Sequence, residues 1–339
     1  MNSFQASTKK TWGLFLRVAV SLLTLAGLVY ALRGKLGEAV AILKGGIQWP
    51  WFSLAVLVYF IALALISWRL EFVFRVQEVK VNFWEALYLS FIAQFFNLFF
   101  PSALGGDVVK GYYAYQYSGK KLGSFTGVLL DRLLGLTTMI LIGLVAFMGH
   151  GGENFANPLF KRTAFGALGF LILGTTFFAN PRFAEKFKFL SFLIPSPKWR
   201  QHLADLYQAI RKYGEHKDIL FTCLALSVVA QLFFFLDGYF LSRSLNLPIS
   251  AGVFFILMPI IGLVSMAPSL SGLGVREAGF VFFFRSIIST EQAFALSILY
   301  DVLLYGFSIA AGLLFAFRGG LKRGVLQDLE AVEEEQLNS

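Results

Sequence analysis

Residues 96–136, FNLFFPSALGGDVVKGYYAYQYSGKKLGSFTGVLLDRLLGL, decide the fold. An apolar, aromatic run stops at Pro101, and a glycine-rich polar stretch containing Asp107 follows. The sequence then becomes apolar again, although Asp131 and Arg132 lie within the new run. Broken helices and charges at membrane depth are tolerated only where they are buried in protein or line a wet cavity. The pattern therefore predicts a broken or re-entrant helix at the centre of a membrane protein.

The composition of the whole chain indicates the same class of protein. Of the 339 residues, 57% are hydrophobic and 14% are charged, whereas an average soluble domain has about 25% charged residues. We expect an all-α, polytopic helical bundle, with a transmembrane domain over 1–320 and an acidic cytoplasmic tail over 321–339. The chain has a net charge of +9, and its basic residues lie between apolar runs. In a membrane protein, basic residues at such places set the orientation and interact with anionic lipid head groups. We therefore predict membrane lipids as partners and no nucleic acid.

The residues that commonly ligate metals are sparse in this chain. Cys223 is the single cysteine, so a disulfide framework is excluded within one chain. The three histidines lie outside the apolar runs, at His150, His202 and His216. We therefore predict neither a metal site nor a cofactor.

Apolar runs long enough to cross a bilayer, about 18 residues or more, recur along the chain. A first helix, taken as a retained span, reaches about Leu32, and Arg69–Lys80 is predicted to be an interfacial amphipathic helix. A basic segment over 181–217 is predicted to be a cytoplasmic loop. The other apolar runs lie at about 49–68, 83–100, 122–148, 164–179, 219–241, 250–267 and 292–317.

Two parts of the chain resemble each other, which predicts an internal repeat over about 49–148 and 218–318. Pro101-Ser102 corresponds to Pro268-Ser269, an offset of 268 − 101 = 167. The segments LLDRLL and LYDVLL align Asp131 with Asp301, an offset of 301 − 131 = 170. Such duplicated units with interrupted helices are typical of secondary transporters.

The basic segments favour an inverted arrangement of the two repeats. If each break forms a re-entrant hairpin, both chain ends and the basic loop lie on the cytoplasmic side. The repeats then have opposite orientations, as in many transporters. Six spans with two re-entrant hairpins and eight full spans are both consistent with the apolar pattern.

Charged residues in or beside the apolar runs are the candidate site, because an intramembrane charge needs a partner or water. Arginine binds phosphate through a planar fork of donors, and helix ends after the glycines add amide donors. The candidates for substrate binding are Lys110, Arg132, Arg276, Gly105, Gly106, Gly272 and Gly274. The candidates for charge balance or ion coupling are Asp107, Asp131, Asp237, Glu277 and Asp301.

Simpler structural roles are open for the same residues. The acids can form ion pairs that only hold the bundle together, and the glycines can merely allow close helix packing. Adjacent helical residues point about 100° apart, so Asp131 and Arg132 cannot share one direction. We expect at least one of these two side chains to pair with another helix.

The stretches 96–136 and 267–283 resemble the lysylphosphatidylglycerol synthase transmembrane family, which is often called flippase-like. The similarity extends over about residues 10–320. Its motifs are a Pro-x-x-x-Gly-Gly-Asp turn followed by a basic residue, a Leu-Asp-Arg helix and a late Gly-x-Gly-Val-x-Glu. In this sequence the motif positions are Pro101, Gly105, Gly106, Asp107, Lys110, Asp131, Arg132, Gly272, Gly274, Val275 and Glu277.

The resemblance implies the handling of membrane lipids in a bacterial or archaeal inner membrane. The full synthases carry a soluble aminoacyl-transfer domain where this sequence has a short acidic tail, so we expect no lysine transfer and no enzyme activity. We expect a lipid translocase that moves an anionic phospholipid or isoprenoid-linked lipid, its head group crossing a polar cavity between the repeats. A membrane glycosyl- or phosphotransferase and a lipid-binding scaffold are the alternatives. Self-association or a lipid-modifying partner enzyme stays open.

Overall fold

The computed structural model describes residues 41–98, 105–150, 212–267, 269 and 271–317. Several predictions fall outside these residues. They concern the first helix before Leu32, the run at 164–179, most of the basic loop, the acidic tail, Pro101 and Pro268.

Eight helices of ten or more residues lie within the described part of the chain, and they occur in the order long, short, short, long, twice over. They are α1 Trp49–Val76, α2 Phe83–Asn97, α3 Gly105–Ser118, α4 Lys121–His150, α5 Lys217–Ser244, α6 Ala251–Val264, α7 Val275–Phe284 and α8 Thr290–Phe317. The described residues contain no strand. The prediction of an all-α polytopic bundle is confirmed.

The four long helices are the candidate membrane spans among the described residues. Helices α1, α4, α5 and α8 are each long and apolar enough to cross a bilayer. Large apolar side chains such as Val145, Phe221 and Ile309 are exposed on them. A protein that buries charges and exposes apolar side chains on 28- to 30-residue helices is suited to a hydrocarbon solvent.

The separate interfacial helix predicted for Arg69–Lys80 is wrong. Residues 69–76 continue α1 without a break, and Arg69 is buried rather than exposed at an interface. The helix ends where Glu78 adopts a left-handed conformation, φ 55°. The hydrogen bond from Lys120 and its charge, with the charge of Lys212, hold the pKa of Glu78 below its usual value.

The two sets of four helices recur with a nearly constant spacing. Helices α1 and α5 begin 217 − 49 = 168 residues apart and end 244 − 76 = 168 apart, and α2 and α6 begin 251 − 83 = 168 apart. The turn that follows α1 is also repeated, since Glu78 and Asn246 both have φ 55°. The opposite orientation of the two sets, and the re-entrant path of the short helices, stay predictions.

The helices divide into two compact units that do not coincide with the repeats. Unit one holds the described residues up to Ala62, those within Phe91–Gly106, and Leu232–Gly312, and unit two holds the rest. The core of unit one includes the fully buried rings of Phe254, Phe280 and Phe284. The core of unit two includes Leu70, Phe74, Leu89 and Val128. Each unit also encloses a set of charged side chains.

Candidate functional site

In unit two, helices α1 and α3 bring cationic side chains to the carboxylate of Asp131 in α4. Arg69 Nε of α1 donates to Asp131 Oδ1 at 2.7 Å, and Lys110 Nζ of α3 lies 3.8 Å from Asp131 Oδ2. Arg69 Nη1 also donates to Ser227 Oγ of α5 at 2.8 Å. These three charged side chains are at most 8% exposed. We call this set the Asp131 cluster; it holds one acid and two cations.

Next to this cluster, Arg132 forms a second ion pair of a different character. Its Nη1 contacts Oδ2 of Asp107, which lies in the first turn of α3. The two side chains are 22% and 21% exposed, so the pair is partly open. Arg132 is thus more accessible than Arg69 or Lys110.

In unit one, the guanidinium of Arg276 is buried against Asp301. Arg276 Nε of α7 donates to Asp301 Oδ1 of α8 at 2.8 Å, and Nη2 reaches the Tyr305 hydroxyl at 3.3 Å. Nη1 lies 3.4 Å from the carbonyl oxygen of Ser271. A buried pair of this kind is costly to break from one side, because the remaining charge is left without a partner.

Two further acids of unit one are buried without full partners. Glu277 interacts with Asp301, but its Oε2 has no hydrogen-bond partner and the residue is 1% exposed. Asp237 of α5 is fully buried, and its carboxylate has no cation or side-chain donor; the Gly238 amide is the donor beside it. Asp237 interacts electrostatically with the hydroxyls of Tyr59 and Tyr300. Arg276, Glu277, Asp301 and Asp237 form what we call the Asp301 cluster, with three acids and one cation.

The glycines beside the charged residues allow close backbone packing and a tight turn. A Cβ on Gly106 would collide with the carbonyl oxygen of Ala93, and the Gly106 amide donates to Asn97 Oδ1 at 2.8 Å. One of the free amides at the start of α3 is thereby already occupied. Gly272 and Gly274 have φ of 80° and 81°, in the left-handed region that favours glycine. They form the tight turn that starts α7.

A comparison with known protein families identifies the family of this chain. The model of the family described as the lysylphosphatidylglycerol synthase TM region matches residues 14–312. The chain belongs to this family. Neither the curated proteins nor the solved structures that were compared gave a match.

Membership in the lysylphosphatidylglycerol synthase TM-region family agrees with a multi-pass membrane domain. The structure brings together the predicted residues in three groups: Lys110 with Asp131, Asp107 with Arg132, and Arg276 with Glu277 and Asp301. The prediction that at least one of Asp131 and Arg132 pairs with another helix is confirmed, since both do. Among the described residues, no group of three or more His, Cys, Asp and Glu side chains could hold a metal ion.

Arg69 is the main residue that sequence reasoning missed in this member of the synthase TM-region family. It was assigned to an interfacial helix because polar residues follow it closely. The repeat contains the signal that could have found it. At the helix offset of 168, Arg69 corresponds to 69 + 168 = 237, the position of an aspartate already recognised as intramembrane.

Proposed function

We propose that this protein moves a lipid with an anionic head group across the membrane. The observation that carries the proposal is the partly open pair of Arg132 and Asp107. Arg132 is a phosphate-binding side chain beside a buried cluster with excess positive charge. A head-group phosphate that takes the place of Asp107 gains a charge-assisted hydrogen bond from the guanidinium. Membership in a membrane-domain family supports a role with lipids.

The buried clusters support a pathway inside the protein for the polar part of the lipid. Charges in the spans of the described helices are expensive unless they have a function or a structural partner. The Asp131 cluster supplies two cations near Arg132, and the Asp301 cluster supplies Arg276. In this proposal the cations of each unit bind the head group while the lipid chains stay in the bilayer. The membrane is the bacterial or archaeal inner membrane, with both termini cytoplasmic, and no covalent change to the lipid is involved.

Leaflet exchange in proteoliposomes tests the proposal. A fluorescent phosphatidylglycerol is incorporated, and its movement is followed with a membrane-impermeant quencher. We expect protein-dependent exchange that falls at least tenfold in Arg132→Ala, because the lost hydrogen bonds to phosphate are each worth about 1.5–3 kcal/mol. Arg75→Ala is the matched control, since Arg75 pairs with Glu71 and its side chain is 58% exposed.

Two results would count against the proposal. One is unchanged exchange in Arg132→Ala. The other is no exchange by the folded wild type for phosphatidylglycerol, cardiolipin or an isoprenyl phosphate. A new lipid species detected by mass spectrometry would instead indicate an enzyme.

A further inference from the structure

We propose that the Asp301 cluster binds a proton and an anionic head group together. Protonation of the Glu277–Asp301 pair releases Arg276, and the freed guanidinium binds the head-group phosphate. The inference rests on the proposed function and deepens it, because it makes the proton the coupling ion for lipid movement.

The first argument is the contact between two carboxyl groups. The buried carboxyl groups of Glu277 and Asp301 interact with each other, and the two residues are 1% and 5% exposed. Ionised carboxylates only accept hydrogen bonds, so a hydrogen bond between them needs a proton on one of the two. Buried acids that share a site do not both ionise. The pair therefore already holds one proton when Arg276 is bound to Asp301.

The second argument is the charge balance around Asp301. The titratable and charged groups that interact with it are Arg276 and Glu277 from α7, and Tyr305 and Tyr300 from its own helix. Tyr300 in turn interacts with Asp237 of α5 and Tyr59 of α1. Arg276 is the one cation in this set, against three acids.

Asp237 strengthens this argument independently. It is fully buried, and its carboxyl group has no cation or side-chain donor; the Gly238 amide is the donor beside it. A buried carboxyl without a cation is far less costly as the neutral acid than as the anion. A second site that accepts a proton is therefore present in the same cluster, and Tyr300 interacts electrostatically with both acids.

The third argument is what must happen when phosphate binds Arg276. The guanidinium donates to Asp301, so the phosphate must replace that carboxylate. Ionised Asp301 would then be buried without its cation, which is strongly unfavourable. If a proton from bulk water forms an O–H bond on Asp301, the side chain is neutral and Arg276 is free. When the lipid leaves, the O–H bond breaks, the proton returns to water and the ion pair forms again.

The Asp131 cluster provides an internal contrast. There a single acid, Asp131, lies beside two cations, Arg69 and Lys110. If a phosphate binds one of these cations, the other remains near Asp131. No proton is needed for that exchange. Proton coupling is thus specific to the second repeat.

Proton uptake on lipid binding tests the inference. Purified full-length protein in detergent is placed in weakly buffered solution with a pH indicator, and dihexanoylphosphatidylglycerol is added. We expect uptake of about one proton per bound lipid in the wild type, by linkage of the two equilibria. Asp301→Asn is expected to bind the lipid without proton uptake, because the amide is neutral at every pH. Asp218→Asn, a change at an exposed aspartate at the start of α5, is expected to behave as the wild type.

Each other outcome has a distinct meaning. Lipid binding without proton uptake in the wild type overturns the inference and leaves the proposed function standing. Proton uptake in Asp301→Asn equal to that of the wild type also overturns it. Failure of the folded wild type to bind the lipid counts against both. If Asp301→Asn does not fold, Glu277→Gln replaces it. Its neutral amide stands for the acid that is already protonated, so full proton uptake is expected, and loss of uptake would contradict Asp301 as the proton acceptor.

Discussion

Arg69 and Asp237 occupy equivalent positions in two corresponding helices, with opposite charges. Arg69 lies 69 − 49 = 20 residues after the start of α1, and Asp237 lies 237 − 217 = 20 residues after the start of α5. Both helices are 28 residues long. The two helices therefore carry a buried charged residue at the same position, with opposite sign.

This reversal explains why the two clusters differ. In the first repeat, the cation at this position binds Asp131 of α4. In the second repeat, the acid at this position cannot bind the corresponding Asp301, which pairs with Arg276 of α7 instead. Asp237 is left without a cation or a side-chain hydrogen-bond donor among the described residues. The Asp131 cluster thus has two cations for one acid, whereas the Asp301 cluster has three acids for one cation.

The Arg69–Asp131 pair is expected to be a major contributor to stability. Arg69→Gln leaves Asp131 buried with only the more distant Lys110, so we expect the free energy of unfolding to fall by about 3–5 kcal/mol. Unfolding in mixed micelles with increasing SDS measures the change. Arg75→Gln is the control, since its exposed pair with Glu71 contributes about 1 kcal/mol or less. Equal losses in the two variants would contradict the role assigned to Arg69.

Asp107 is expected to compete with the lipid for Arg132. Asp107→Asn removes the charge that holds the guanidinium in their partly exposed pair. We expect the affinity for an anionic lipid to rise about fivefold, which corresponds to a pair worth about 1 kcal/mol. Titration with dihexanoylphosphatidylglycerol in detergent measures it. Glu71→Gln makes the same kind of change at the Arg75 pair and should leave affinity unchanged. Weaker binding by Asp107→Asn would show that the aspartate contributes to the site.

Gly106 is expected to tolerate no side chain. In Gly106→Ala, the new Cβ would collide with the backbone oxygen of Ala93, and overpacking of this kind costs about 1–3 kcal/mol or more. Gly306→Ala is the matched control, because no atom lies within 4 Å of a Cβ at that helical position. There we expect up to about 1 kcal/mol of stabilisation from helix propensity. Unfolding of both variants in SDS checks that the two changes in stability have opposite signs.

The sequence revealed the charges that lie inside clearly apolar runs. Asp131, Arg276 and Asp301 were all recognised in this way, since an intramembrane charge is conspicuous on hydropathy alone. Arg69 was missed because the apolar run stops just before it, although the helix continues to Val76. Hydropathy marks where a helix is apolar, whereas the end of α1 is set by the left-handed turn at Glu78.

Helix α3 was the second element that the sequence did not define. Its first residues are glycines and charges, which have no apolar periodicity, and glycine disfavours a helix interior. The helix nevertheless begins at Gly105, because the missing side chain lets Gly106 pack directly on the backbone of α2. The partners of each charge were also unpredictable, since pairing depends on which helices are neighbours.

The unpaired carboxyl of Asp237 is expected to cost stability, in contrast to Asp131. Asp237→Val replaces a buried acid that has no cation or side-chain donor with an apolar side chain of similar size, so we expect stability to rise by about 1–3 kcal/mol. Asp131→Val is the same change at an acid that has partners. It leaves Arg69 buried without its carboxylate, and we expect a loss of about 3–5 kcal/mol.

Unfolding in SDS measures the change in the free energy of unfolding for the two valine variants, which we expect to have opposite signs. Leaflet exchange measures the effect on lipid movement. If Asp237 takes part in proton coupling, Asp237→Val should be more stable than the wild type and slower in lipid exchange. Residues that lower stability while serving a function are common at active sites. A loss of stability in Asp237→Val comparable to that in Asp131→Val would instead make Asp237 a structural residue.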